Sequence, residues 1–278
     1  MFKNQTGQWP GNKVKKVVVR LESFHMVSSI LKNNRLVRVY LPKSYSKFKS
    51  KRYPVLYMHD GQNVFRDKDA IGGVSLGLEE YVEKNDIDVI IVAIDQVVEE
   101  RKDEYCPWVS GDFVRELTGN SESYGGKGKH YIEFIVHELK PIIDSKYRTI
   151  SDNSLMAGIS LGGLITIYAA CKYPHLFRTI ICLSSSFWSN KEEIEKLIDD
   201  SDLTLIESIY LDCGTNEAGE GTQLSDDEFI KSNQIIYRKL KDKIPNTRFV
   251  VIQDAEHSYS FFKRRKRELF LSLQKSEK

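Results

Sequence analysis

The chain moves between two hydrophobic rhythms. "LVRVYL", within residues 34–42, alternates apolar and polar positions, as a strand with one face in a core should. Residues 14–24, "VKKVVVRLESF", carry a similar strand signal. "YPVLYMHD" and "IDVIIVAID", the latter ending at Asp95, are continuous apolar runs, which suit parallel strands covered on both faces. "VSLGLEEYVEKND", between them, reads as a helix. Across residues 128–148, Ile132, Ile135, Leu139 and Ile142 recur at steps of three and four and predict one apolar helix face. Pro141 is expected to kink that helix or end its regular part. Strands at 154–157, 179–184, 205–212 and 247–252 then alternate with helices at 161–172, 190–199, 226–241 and 259–274.

Strands alternating with helices imply an α/β fold, a mostly parallel sheet with helices on both faces. The two N-terminal strands lack a long crossover and are expected to pair antiparallel at one edge. No linker, repeat or low-complexity run divides residues 1–278, so a single domain is predicted.

Composition narrows the function classes. With 41% hydrophobic and 29% charged residues, the chain is an ordinary globular sequence, long enough to bury a core without staples. A formal net charge of +2 gives no reason to expect nucleic acid or an acidic membrane as partner. The basic run "FFKRRKRELF", residues 261–270, reads as a solvated helix face, and "KSYSKFKSKR" as a charged surface loop. "YGGKGK" lacks the GK[ST] ending of a phosphate loop. Cys106, Cys171, Cys182 and Cys213 form no CxxC pair, and three of them sit in apolar surroundings. Reduced thiols, and with them a cytoplasmic protein, are expected. The opening "MFKNQTGQWPGNKVKK" has no apolar core of a secretory signal, and no stretch approaches the ~20 apolar residues of a membrane span. No His, Asp and Glu cluster has metal-ligand spacing, so neither metal nor cofactor is expected. A homo-oligomer stays open.

Chemistry concentrates in "LMAGISLGGLITIYAACKYP", residues 155–174. An apolar strand passes through Gly158-Ile159-Ser160-Leu161-Gly162 into a helical pattern that stops at Pro174. In an α/β sequence this is where a G-x-S-x-G nucleophile elbow belongs. The serine backbone is strained there, so bulky neighbours would collide. Gly158 and Gly162 leave room, and Gly163 adds more. The helix that follows aims free N–H groups at the site, which favours developing negative charge. Tight strand–helix packing would use the same glycines, so Ser160 needs partners.

In this architecture the order is serine, acid, histidine. Of six histidines only His175 and His257 follow Ser160. His175 ends the next helix with no strand between to carry an acid, whereas His257 follows the last predicted strand, where function gathers. His257 is therefore the candidate base. For the acid, the segment after "SIYLD" offers Asp212, Glu217, Glu220, Asp226, Asp227 and Glu228. Glu217 is favoured, just past the strand end; Asp212 and Asp226 remain alternatives. The oxyanion hole needs two backbone donors. Leu161 supplies one, and Gln62, in the "DGQNVF" loop that Gly61 lets turn, supplies the other. Ser160 and His257 must then meet at the rim of one cavity.

"YPVLYMHDGQNVF", "GGKGKHYIEFIVHELKPIIDSKYRT", "MAGISLGGL", "YLDCGTNE" and "EHSY", in this order over residues 35–265, resemble the putative-esterase family of α/β-hydrolases. Feruloyl and acetylxylan esterases, enterochelin-type siderophore esterases, S-formylglutathione hydrolases and mycolyltransferases belong to it. The resemblance implies the α/β-hydrolase fold, Ser160 as nucleophile, His257 as base, an acid near Glu217 and oxyanion donors at Leu161 and Gln62. It also implies that "YCPW", with Tyr105 and Trp108, runs beside the active-site cleft, where these rings shape a substrate pocket or simply pack the loop. The expected activity is hydrolysis of small or water-soluble esters through an acyl-enzyme. An acyltransferase would use the same groups, and a non-catalytic binding protein would use the same scaffold.

Overall fold

The computed structural model describes residues 20–111, 114, 123–218 and 225–274. Its strands are β1 (Leu21–Ser28), β2 (Asn33–Tyr40), β3 (Tyr53–Met58), β4 (Ile90–Ile94), β5 (Thr149–Ile159), β6 (Phe177–Leu183), β7 (Ser208–Asn216) and β8 (Thr247–Glu256). They form one sheet in the order β1-β2-β4-β3-β5-β6-β7-β8. β1 pairs antiparallel with β2, and β2 antiparallel with β4. Every pairing from β4 through β3 to β8 is parallel. This is the mostly parallel sheet with an antiparallel N-terminal edge that the alternation predicts, and the α/β-hydrolase fold that the resemblance implies.

The apolar runs are buried on both faces. Val55 and Tyr57 of β3 join one core with Val92, Met156, Leu164 and Ile180. Leu56 and Met58, pointing the other way, join a second with Ile91, Ala93, Leu155, Phe262 and Phe270.

The helices are α1 (Leu78–Lys84), α2 (Arg101–Tyr105), α3 (Gly128–Glu133), α4 (Lys140–Lys146), α5 (Leu161–Lys172), α6 (Lys191–Asp200), α7 (Asp226–Lys243), α8 (Tyr259–Arg264) and α9 (Leu271–Gln274). Eleven residues of α5 are buried, so the helix after Ser160 is sealed on nearly every side. The side chain of Ser225 accepts from Glu228 N–H, and Glu228 returns the bond, a capping box that starts α7. No helix among the described residues is long and apolar enough to cross a membrane.

Several expectations change. Residues 14–19 of the first expected strand lie outside the described residues, and β1 runs on to Ser28. A π-turn, Phe134–Leu139, separates α3 from α4. Its wider winding adds a residue and spares the clash of the Pro141 ring with the preceding turn. The buried face moves by one position, so Ile143 is fully buried and Ile142 is 40% exposed. β7 and β8 extend beyond their apolar cores to Asn216 and Glu256. The expected last helix is broken into α8, a 3-10 turn at Lys266–Phe270 and α9.

Candidate active site

Ser160 sits between β5 and α5 with φ 60° and ψ −125°, a strained backbone for an L-residue. Its N–H donates to Leu183 O at 3.1 Å, and its carbonyl accepts from Ser186 N–H at 3.1 Å and Gly163 N–H at 2.9 Å. The glycines have different weights. A Cβ on Gly158 would stand 1.9 Å from Gly162 O, and one on Gly163 1.9 Å from Ser185 Oγ. At Gly162 the nearest atom would be His59 Cβ at 3.6 Å, an ordinary contact. The turn thus requires Gly158 and Gly163 rather than the second glycine of the motif. The Ser160 hydroxyl lies 3.1 Å from Ser186 Oγ.

The register of β7 and β8 pairs Asn216 with Glu256, which sets the next residues, Glu217 and His257, side by side. His257 Nδ1 and Glu217 Oε2 are 2.7 Å apart. Glu217 Oε1 accepts from Gly214 N–H and from the Ser184 hydroxyl. Burial pushes the Glu217 carboxyl up, but the bonds from His257, Ser184 and Gly214 outweigh it and hold it below the ordinary carboxylate value. The His257 ring lies edge-on to Phe229 at 5.7 Å and to Phe262 at 5.3 Å. With Nδ1 engaged, Nε2 is the nitrogen free to exchange a proton.

The other carboxylates are committed elsewhere. Asp212 is fully buried, pairs with Arg265 at 2.6 Å and accepts from Tyr210 OH at 3.0 Å. Burial lifts its carboxyl to about 6 against the pull of Arg265. Asp226 accepts from Ala218 N–H at 2.7 Å and so fastens the chain beyond Glu217. Glu228 serves the capping box, Asp227 is exposed, and Glu220 lies outside the described residues. Ser160 and His257 stand at the same edge of the sheet, after β5 and β8. No direct hydrogen bond joins them among the described residues; the serine is turned to Ser186.

The loop after β3 closes over the start of α5. Its left-handed residue is Asp60, φ 55°, rather than Gly61. Gly61 is needed for space: a Cβ there would lie 2.6 Å from Asp95 Oδ1 and 2.7 Å from Asp95 N. The Asp60 carboxylate accepts two bonds from Arg101, at 2.8 and 2.9 Å, and its N–H donates to Tyr105 OH at 3.0 Å. The Gln62 side chain exchanges bonds with the Gln96 backbone at 3.2 and 3.0 Å. His59 bridges Tyr131 OH (2.9 Å) and Thr166 Oγ1 (3.1 Å), tying this loop to α5. The backbone N–H groups of Gln62 and Leu161 bond to no protein acceptor among the described residues.

Tyr105 is fully buried and holds this loop from beneath, so of its two expected roles it packs. Trp108 is half-buried, edge-on to Tyr168 at 5.5 Å, and its backbone exchanges bonds with the Asn190 side chain. Sequence reasoning passed over Ser184, Ser186, Asp60, Arg101 and Arg265. Asp60 falls in the "HDGQN" turn, and "SSS" at 184–186 comes straight after an apolar strand. Arg265 corrects the solvated reading of the basic cluster: it is 6% exposed and ion-paired. No group of three or more His, Cys, Asp and Glu able to hold a metal occurs among the described residues. A cavity of about 350 Å³ opens by Thr179, Ser208 and Arg248, near the starts of β6 to β8, away from these groups.

Comparison with known proteins agrees with this architecture. The chain is 29% identical over 213 residues to "Uncharacterized protein YbbA" of Bacillus subtilis, covering 76% of this chain and 79% of that one. It is 28% identical over 197 residues to an endo-1,4-beta-xylanase/feruloyl esterase of Xylanibacter ruminicola, covering 67% of this chain and 23% of that one. In fold it is similar to an IroE-like serine hydrolase from Shewanella oneidensis, with TM-score 0.72, 22% identity, and 91% of this chain and 79% of that one covered. The model of the family described as "Putative esterase" matches residues 28–265. The chain belongs to that esterase family.

Proposed function

We propose that Ser160, His257 and Glu217 carry out carboxylic-ester hydrolysis through an acyl-enzyme. His257 takes the Ser160 proton on Nε2 as Oγ attacks the ester carbonyl. For this the hydroxyl turns from Ser186 toward the imidazole as substrate binds. The carbonyl oxygen becomes an oxyanion held by the N–H groups of Leu161 and Gln62. His257 then protonates the leaving alcohol, and later takes a proton from the water that releases the acid. Glu217 holds the imidazole tautomer and stabilises its charged form without taking the proton. No step calls for a cofactor.

The observation that carries this assignment is the 2.7 Å bond between His257 and Glu217, at the ends of β8 and β7 on the same side of the sheet as the strained Ser160 after β5. The substrate class we assign is small or water-soluble esters, feruloyl, acetyl-sugar, siderophore-type esters and thioesters among them. Four buried free cysteines fit a reducing compartment, and we place the protein in the cytoplasm.

A fluorophosphonate probe tests the nucleophile. Wild type should label and Ser160→Ala should not, with kcat on a short-chain ester falling about 10⁴-fold or more. Absence of labelling and turnover in wild type, across a panel of these esters, would leave a binding protein on a hydrolase scaffold.

A further inference from the structure

Behind Glu217 lies a buried chain of polar groups with one direction. Ser184 follows β6 and is fully buried. Its hydroxyl accepts from both Nη1 and Nη2 of Arg265, each at 3.1 Å. A guanidinium offers only donors, so the serine proton is left for Glu217 Oε1. Arg265 itself is anchored by Asp212 at 2.6 Å and lies over the Phe262 ring at 5.0 Å. The titratable and charged groups around this cluster are Asp212, Cys213 and Glu217 from β7 and its following turn, His257 after β8, and Arg265 after α8. Tyr210 donates to Asp212 from the far side.

Two features say that the hydroxyl is there for a purpose. Ser184 has φ 45°, a left-handed backbone that glycine adopts freely and other residues at a cost. Glycine would relieve the strain but could not bond to the carboxylate. Two buried carboxylates also share one buried cation. Arg265 faces Asp212 directly and reaches Glu217 only through this serine.

We propose that Ser184, gripped by the Arg265 fork, is a positioning residue that fixes the Glu217 carboxylate and, through it, the His257 ring. This rests on the assignment of Glu217 as the triad acid. Without the hydroxyl, Glu217 Oε1 keeps only the Gly214 N–H. The carboxylate is then freer to swing, and the His257 ring it holds loses its fixed orientation.

Ser184→Ala and Ser184→Gly test this together, since the glycine variant removes the hydroxyl while relieving the strain. Both should lower kcat about 10- to 100-fold with KM nearly unchanged. Both should move or broaden the downfield Nδ1–H NMR signal of His257, which reports its bond to Glu217. Arg265→Lys, which keeps a cation by Asp212 but loses the fork, should fall between these variants and wild type. Either serine variant with kcat within about twofold and an unmoved His257 Nδ1–H signal overturns the proposal. Glu217→Ala, measured in parallel, separates the failures. If it is inactive while the serine variants are normal, only this inference falls. If it keeps near-normal activity, the acid assignment falls and takes the inference with it. Should no ester be turned over, the NMR spectrum still decides, because an unmoved His257 Nδ1–H signal refutes the coupling.

Discussion

Gly162 and Gly163 are neighbours, yet the turn depends on only one of them. A methyl on Gly163 would collide with Ser185, whose own neighbours reach Ser160 on one side and Glu217 on the other. Gly163→Ala should destabilise the fold by about 2 kcal/mol, the usual cost of overpacking, and lower activity by displacing Ser186. Gly162→Ala has room and gains helix propensity, so its stability should be unchanged or higher by up to about 1 kcal/mol. Urea unfolding of the two variants checks the contrast; equal losses would refute it. The G-x-S-x-G motif is legible as a pattern and finds Ser160, but it ranks these glycines in the wrong order. The spacing records where glycines stand, not what lies 1.9 Å away across the turn. Ser184 and Ser186 are hidden for the same reason: their importance comes from groups 26 and 33 residues distant.

At the scale of elements, the loop after β3 and the short α2 act as one piece. Arg101 on α2 grips Asp60, Tyr105 supports the same turn, and Gln62 hangs between them and Gln96. Arg101→Gln should loosen the loop and lower kcat about 10-fold, less than outright loss of an oxyanion donor, with little change in KM. Arg101→Lys should recover part of it. A KM effect with kcat intact would mean that Arg101 meets substrate instead. The strand and "HDGQN" turn are legible in sequence, but α2 is not, because five residues are too few to show a helical period. The basic run at 261–270 misleads in the opposite way. Charge composition there suggests solvent, while the break between α8 and the following 3-10 turn carries Arg265 inward to a buried acid.

At the scale of the whole molecule, one buried histidine links the site to global stability. Thr166 Oγ1 donates to Gly162 O, so His59 Nε2–H donates to Thr166 and Nδ1 accepts from Tyr131: a neutral imidazole with both nitrogens satisfied. Burial lowers its pKa to about 4. Because this base is harder to protonate folded than unfolded, its contribution is complete above the unfolded value of about 6.5 and is lost as pH falls from there toward 4, by about 3 kcal/mol. Chemical unfolding at stepped pH should show that slope in wild type, and His59→Gln should flatten it; an identical slope in the variant would refute the assignment. The strand and helix alternation, the antiparallel edge, the elbow serine and the choice of His257 over His175 as its candidate base are legible in the sequence. Those signals are local, or follow from chain order in a parallel sheet, whose strands all end at one edge. Packing in three dimensions sets which carboxylate meets His257, where the π-turn shifts a buried face, and which of several arginines goes inside. Each of these depends on strand register and on packing between distant segments, and a residue's own neighbours in sequence do not encode them.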